Sequence, residues 1–412
     1  MKHFAIESKG LSVKQRWMQQ LLKGDGGIAL LQGKKGLLFS TVTLEKFIDE
    51  ELRHDKFLLT DQDGRSIRSY SSGEQRKALL KYLMEQNPDF LVLDNPFDCL
   101  DVESVQQLKK QLEEVASHTT IVQLFKRNTD ILPIIDKVLI MQANGSLLWH
   151  SVQAYELNAE QNQSSFNLTI PDPLKPFDNV PEVLVEMNEV CVSYNNSIIV
   201  KDISWQIKKG EFWHLKGSNG SGKTTLLTMI YGDNPKAYGQ ELYLFGHKKG
   251  HGESVWQIKE KIGYFTPSLT DNFRGSHSAL QMIISGLMDS VGLYAKPSDR
   301  QVKLAFDWLR VINMGDKKHH PFSELSQINQ RLVLIARAMI KHPPLLILDE
   351  PSTGLDDESA TLMVALVNQI ARQSDTAIIY VSHRSEEGLK PQYTFELVKS
   401  NEGSIGRVIV GT

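Results

Sequence analysis

Residues 89 to 101 read DFLVLDNPFDCLD, and residues 344 to 356 read PLLILDEPSTGLD. Self-similarity over so long an interval indicates two copies of one domain, and no other feature constrains the fold as strongly. The likeness continues on both sides. RSYSSGEQRKALLKYLMEQNPDFLVLD parallels SELSQINQRLVLIARAMIKHPPLLILD, with the same spacing from Ser71 to Asp94 as from Ser326 to Asp349 (94 − 71 = 349 − 326 = 23). TTIVQLFKR parallels TAIIYVSHR and sets Lys126 opposite His383. A chain of 412 residues has room for two such domains. Their expected bounds are 1–155 and 183–412, joined by a polar linker over 156–182 that carries Pro171, Pro173, Pro176 and Pro181.

Within each copy, short apolar runs such as LLIL and AIIYVS alternate with stretches of helical period such as QRLVLIARAMI. That alternation predicts an α/β fold with a largely parallel, buried sheet flanked by helices. GSNGSGKT, Gly217 to Thr224, fits G-x-x-x-x-G-K-[ST] and lies between strand-like FWHLK and helix-like TTLLTMI. Such a loop closes backbone N–H groups around phosphates at a helix N-terminus. Gly217, Ser218, Asn219, Gly220, Ser221, Gly222, Lys223, Thr224 and Thr225 are accordingly the expected nucleotide-binding residues, with Lys223 bridging the β- and γ-phosphates and Thr224 ligating Mg²⁺. Further on, LLILDEP places Asp349 to hold Mg²⁺ and Glu350 to accept a proton from the attacking water.

Composition narrows the partners. A formal net charge of −3 gives no basic footprint for long nucleic-acid contacts. Cys99 and Cys191, each in an apolar sequence context, exclude a disulfide framework and suit a reducing cytosol. MKHFAIESKG lacks the apolar core of a signal peptide, and no uncharged apolar run approaches the ~18 residues of a membrane helix. A cytoplasmic location is expected, with any attachment to the inner face of the cell membrane made through a partner.

With these motifs in place, the sequence resembles an ATP-binding-cassette (ABC) ATPase: a P-loop NTPase with two tandem nucleotide-binding domains, each with a helical subdomain. GSNGSGKT is similar to the family's phosphate loop, LLILDE to its acidic strand, STGLD to its loop ending at Asp356, and VSHR to its switch histidine, His383. Tyr194 matches the aromatic that stacks on adenine, the alternative being a partly exposed strand residue. ELYLFG and HGESVW are similar to stretches of the tandem cassettes associated with molybdenum transport. The resemblance implies ATP and Mg²⁺ as ligands, and cassettes that pair head to tail with ATP between one phosphate loop and the other signature.

The copies then differ in an ordered way. The first has a usable signature, YSSGEQ, with Ser71 opening an S-x-x-E pattern and Gly73 leaving room for a phosphate. It lacks a phosphate loop, and LLQGKKGLLFS at 30–40 is expected to be its shortened remnant. Asn95 replaces the glutamate and Lys126 the histidine. In the second copy the signature is instead altered to LSQIN, with Ile328 where Gly73 stands in the first. Pairing the copies gives one complete site, from Lys223, Thr224, Asp349, Glu350 and His383 opposite Ser71 and Gly73.

Three further expectations complete the reading. The glutamine usual near Pro267 is missing, leaving Thr266 or Ser268 to reach Mg²⁺ indirectly. His247 and His251 in GHKKGHGES are expected to lie in a solvated loop, and Ala279 to Val311 to form the helical subdomain. The function expected is ATP hydrolysis by an asymmetric tandem ABC ATPase. Its setting is either an energising subunit on a separately encoded membrane permease or a clamp or regulator acting on ribosome, nucleic acid or another protein.

Overall fold

Apolar runs that are buried on both faces make central strands, and the runs noted above do so twice. The computed structural model describes every residue except 1–2, 9–13, 60–64, 142–145, 160–165, 167–168, 196, 273–274, 290–292, 294, 385 and 412. The chain divides into two units, Met1–Gln163 and Ser164–Thr412. Part of the stretch expected as linker belongs to the second: Ile170 packs in its core and donates its N–H to Gln373 Oε1 at 2.9 Å.

The first unit runs β1 (Phe4–Glu7), α1 (Lys14–Leu22), β2 (Gly36–Phe39), α2 (Thr41–His54), α3 (Ser72–Glu85), β3 (Phe90–Asp94), α4 (Val102–Ala116), β4 (Thr120–Phe125), β5 (Lys137–Met141), β6 (Leu147–Ser151) and α5 (Val152–Ala159). Its sheet has the order β2-β3-β4-β1-β5-β6. All neighbours are parallel except β5 and β6. Phe4, Ile6 and Val92 pack with Met18 and Leu21 of α1 on one face, while Ala5, Leu91 and Leu93 pack with α3 and α4 on the other.

The second unit opens with β7 (Val183–Tyr194) and β8 (Ser197–Lys208), long antiparallel strands that join β10 (Leu242–Leu244) and β11 (His247–Lys248) in a sheet of order β11-β10-β7-β8. Its larger sheet contains β9 (Phe212–Gly217), β12 (Ile262–Phe265), β13 (Leu345–Asp349), β14 (Ala377–Val381), β15 (Tyr393–Val398) and β16 (Ile405–Val410). Their order, β12-β13-β14-β9-β15-β16, repeats that of the first unit strand for strand. Helix α6 (Lys223–Tyr231) follows β9, and α7 (Val255–Glu260) precedes β12. Beyond β12 come α8 (Ser268–Asn272), α9 (Ala279–Ser285), α10 (Asp299–Val311), α11 (Gln327–Met339) and α12 (Asp357–Gln373). Between the sheets, Trp205 stacks on Phe395 at 4.4 Å and meets Trp213 edge-on at 5.6 Å, which anchors the strand leading into GSNGSGKT.

The common strand order corrects one sequence expectation. The counterpart of β9 is β1, so the place of a phosphate loop in the first unit is after Glu7 and before α1. LLQGKKGLLFS does not lie there, because its GLLF is β2, the counterpart of IGYF in β12. The equivalent stretch, SKGLSVK, also lacks G-x-x-x-x-G-K-[ST], and residues 9–13 within it are outside the described residues. Among described residues the first unit has no counterpart of the antiparallel sheet, and between β2 and α3 its one α-helix is α2. Both cysteines are exposed despite their apolar sequence neighbours.

Candidate functional site

The loop Gly217–Gly222 leaves the centre of the larger sheet and enters α6 directly. Two of its glycines are required by space. A Cβ on Gly222, where φ is +98°, would fall 2.4 Å from Val200 Cγ1, and one on Gly217 would fall 2.5 Å from Ser221 Oγ. The loop therefore folds tightly, and the first-turn N–H groups of α6 face its hollow without intrahelical acceptors. Lys223 is only 7% exposed, and its Nζ donates to the carbonyls of Gly217 at 2.7 Å and Ser218 at 3.0 Å. Thr224 is exposed at the mouth. Thr225 lies one step further in, its carbonyl accepting from Thr228 Oγ1 at 3.0 Å.

Asp349 ends β13, and Glu350 follows in the left-handed region with φ +51°. That backbone is unusual for glutamate, and it turns the side chain out of the strand direction. His383 Nε2 pairs with Glu350 Oε1, and Thr353 Oγ1 donates to Glu350 Oε2 at 3.2 Å. Burial pushes the Glu350 carboxyl upward, but the His383 hydrogen bond and charge, with Thr353 and Lys223, together hold it below the usual value. Burial, then the neighbouring Glu350 charge, pushes Asp349 up to about 6 against the opposing pull of Lys223, Tyr264 and His383. The structure thus brings Lys223, Asp349, Glu350 and His383 into one electrostatic cluster.

A buried acid beside a second acid is the environment that a divalent cation relieves, and hydroxyl and carboxylate oxygens suit Mg²⁺. Among described residues no group of three His, Cys, Asp or Glu side chains forms a closed metal site. The exposed Thr224 hydroxyl, next in the chain to Lys223, and the Asp349 carboxylate beside Lys223 offer oxygen ligands of the kind such a cation takes. His247 and His251 form no such group; His247 Nε2 lies 3.9 Å from Glu253 Oε1.

Tyr194 closes β7 with 39% of its surface exposed. Its hydroxyl meets Asn234 just beyond α6 at about 3 Å, bonding to Oδ1 at 3.2 Å and Nδ2 at 2.9 Å, and Lys236 Nζ sits 5.7 Å from its ring centre. The ring is thus tied to the helix that carries the loop. Thr266 Oγ1 and Ser268 Oγ lie 3.4 Å apart after β12.

Ser71 and Gly73 lie in the first unit. Ser71 caps α3, and Glu74 completes a capping box by accepting from Ser71 N at 2.7 Å. A Cβ on Gly73 would fall 2.8 Å from Ser104 Oγ, so that glycine has a local reason as well. Ile328, its counterpart, packs against the helical core of the second unit. The loop after β3 keeps the backbone of the loop after β13: Asn95 has φ +46°, and its N–H bonds to Leu124 O as Glu350 N–H does to Val381 O. Asn95 Nδ2, however, donates to Asp94 Oδ1 at 2.8 Å instead of offering a base.

The sequence reading missed Tyr264 of β12, which lies close enough to Asp349 for each to shift the other's titration and stacks on Tyr231 at 4.6 Å. Its position beside Asp349 depends on the β12–β13 pairing.

Residues 200–353 match the family model described as ABC transporter. The chain is 38% identical over 348 residues to the ABC transporter ATP-binding protein ModF of Escherichia coli, covering 81% of this chain and 70% of that one. It is 29% identical over 327 residues to an uncharacterized ABC transporter ATP-binding protein of Schizosaccharomyces pombe, covering 78% of this chain and 66% of that one. Among solved structures, cbiO1 from Clostridium perfringens, part of an ABC transporter complex, superposes with a TM-score of 0.48 at 22% identity, over 55% of this chain and 88% of that chain.

Proposed function

This chain belongs to the family of ABC transporter ATP-binding proteins, and from that premise we propose that it hydrolyses ATP at one composite site per chain. Lys223, Thr224, Asp349, Glu350 and His383 of the second unit supply the hydrolytic half, and Ser71 and Gly73 of the first supply the signature. The observation that carries this reading is the cluster of Lys223, Asp349, Glu350 and His383, set against Asn95 and Lys126 in the first unit. Glu350, held ionised and oriented by His383, accepts the proton of the attacking water. Lys223 turns from the loop carbonyls to the β- and γ-phosphates. Tyr194 offers its ring to the base. Mg²⁺, when bound through Thr224 and Asp349, supplies charge neutralisation across the phosphates.

The E. coli relative is an ABC transporter ATP-binding protein by name, which supports an energising role on a separately encoded permease. No helix among the described residues is long and apolar enough to cross a membrane, so such a permease would be a separate chain or a segment outside them. The absence of glutamine near Pro267 favours a second reading, a clamp or regulator without a permease. Co-purification with a membrane protein, against co-purification with ribosomes, separates the two. For the hydrolytic reading itself, Glu350→Gln is expected to lower turnover at least ~10²-fold while ATP stays bound. Turnover near the unaltered rate would exclude Glu350 as the base.

A further inference from the structure

Behind the cluster, the strand that carries the phosphate loop holds a histidine that the hydrolytic reading does not use. His214 of β9 is 3% exposed, and its Nε2 lies 2.9 Å from Ser382 Oγ. Ser382 immediately precedes His383, and its hydroxyl donates to the carbonyl of Arg384 at 2.5 Å. The serine thus brackets the switch histidine from both sides. A hydroxyl has one proton, and Arg384 takes it, so Ser382 must accept from His214, whose Nε2 therefore carries hydrogen. Burial, then the charge of Lys216, pushes the His214 imidazole down to about 3, and the ring stays neutral and in that tautomer at physiological pH. Tyr380 meets the ring edge-on at 5.8 Å and donates to Ser352 Oγ at 3.2 Å. Ser352 donates in turn to Glu386 Oε1 at 2.5 Å, tying the loop after Glu350 to the segment after His383.

The first unit shows what the fold needs at this place. Its register sets Ala5 against Gln123, as that of the second unit sets His214 against Tyr380, and Phe125 stands where Ser382 does. Ala5 and Phe125 are both buried and belong to one apolar core. A small and a large apolar residue therefore fill the space that the histidine and serine occupy in the other copy, so packing does not demand the polar pair. A buried polar pair is a burden on folding unless it is fully bonded, and here it is kept in the unit that also keeps Glu350 and His383.

We infer that His214 is a positioning residue for the hydrolytic step: through Ser382 it fixes the backbone that carries His383, and so keeps that imidazole on Glu350. The inference rests on the hydrolytic reading of His383 given above. Three variants of the full chain test it, by steady-state ATP hydrolysis and thermal melting. His214→Met keeps bulk without a donor, and is expected to lower kcat about 10- to 100-fold, with KM for ATP within about 2-fold and no loss of melting temperature. His214→Gln restores an N–H of similar reach and is expected to stay within about 3-fold of the unaltered kcat. His383→Ala is the reference, expected to be at least as slow as His214→Met. Unaltered kcat in His214→Met, an equal fall in both His214 variants, or a change confined to KM overturns the positioning role while a slow His383→Ala leaves the hydrolytic reading standing. A fast His383→Ala overturns both.

Discussion

At the scale of single residues, the twin loops after β3 and β13 separate backbone from chemistry. Asn95 and Glu350 adopt the same left-handed backbone, which asparagine accommodates readily and glutamate does not. The second unit therefore carries a strained glutamate where an easier residue was available, as expected of a side chain kept for its function. Lys223→Ala should weaken ATP binding itself, unlike Glu350→Gln, because it removes the cation that the loop encloses; unchanged affinity in an equilibrium titration would contradict the phosphate-loop assignment. Asp349 gives a pH dependence of defined sign. Its carboxyl sits at about 6, above the usual carboxylate range, so ionisation opposes folding above that pH. The folded chain is relieved as pH falls through 6 toward the unfolded value. Cation binding needs the ionised form and must run oppositely. Protonation of the terminal phosphate of ATP already weakens Mg²⁺ binding at low pH, and Asp349 should add about a further 10-fold loss between pH 7.5 and pH 5 that Asp349→Asn removes. The same fall in Mg²⁺ affinity with pH in the unaltered chain and in Asp349→Asn would contradict the placement of Asp349 at the cation.

Elements show which parts were legible beforehand. The parallel sheet and its flanking helices could be read because central strands are apolar on both faces, and the phosphate loop because its glycines and lysine are contiguous. Partnerships across strands could not: Tyr264 reaches Asp349 through β12–β13 pairing, and His214 reaches Ser382 across β9 and β14, with no local pattern to mark either. LLQGKKGLLFS was misleading because glycine and lysine before an apolar run imitate a worn phosphate loop. The better signal was KGLLF beside KIGYF, which pairs β2 with β12. The signature helices yield a paired test. On the proposed pairing, Gly73→Val should lower ATP turnover about 10²-fold and Ile328→Gly should leave it unchanged. Because a side chain on Gly73 also meets Ser104, the test is repeated in a Ser104→Ala background, which removes the nearest clashing atom. Full turnover in Gly73→Val/Ser104→Ala, or equal losses at both signatures, would contradict an asymmetric pair.

Across the whole molecule, two units share a strand order, while the G-x-x-x-x-G-K-[ST] sequence, Glu350 and His383 all belong to the second. The matching losses, Asn95 and Lys126 in one unit and Ile328 in the other, are those that pairing would leave without a nucleotide to serve. Such a pair within one chain should turn over at a rate per chain that does not change on dilution, since its halves meet at an effective concentration set by the chain. A rate per chain that falls with dilution would place the pairing between chains. Nucleotide stoichiometry tests the central claim most directly. Equilibrium titration of the Glu350→Gln chain with ATP and Mg²⁺ should find one high-affinity site per chain, lost on adding Lys223→Ala. Two tight sites per chain, or one that survives Lys223→Ala, would contradict the account.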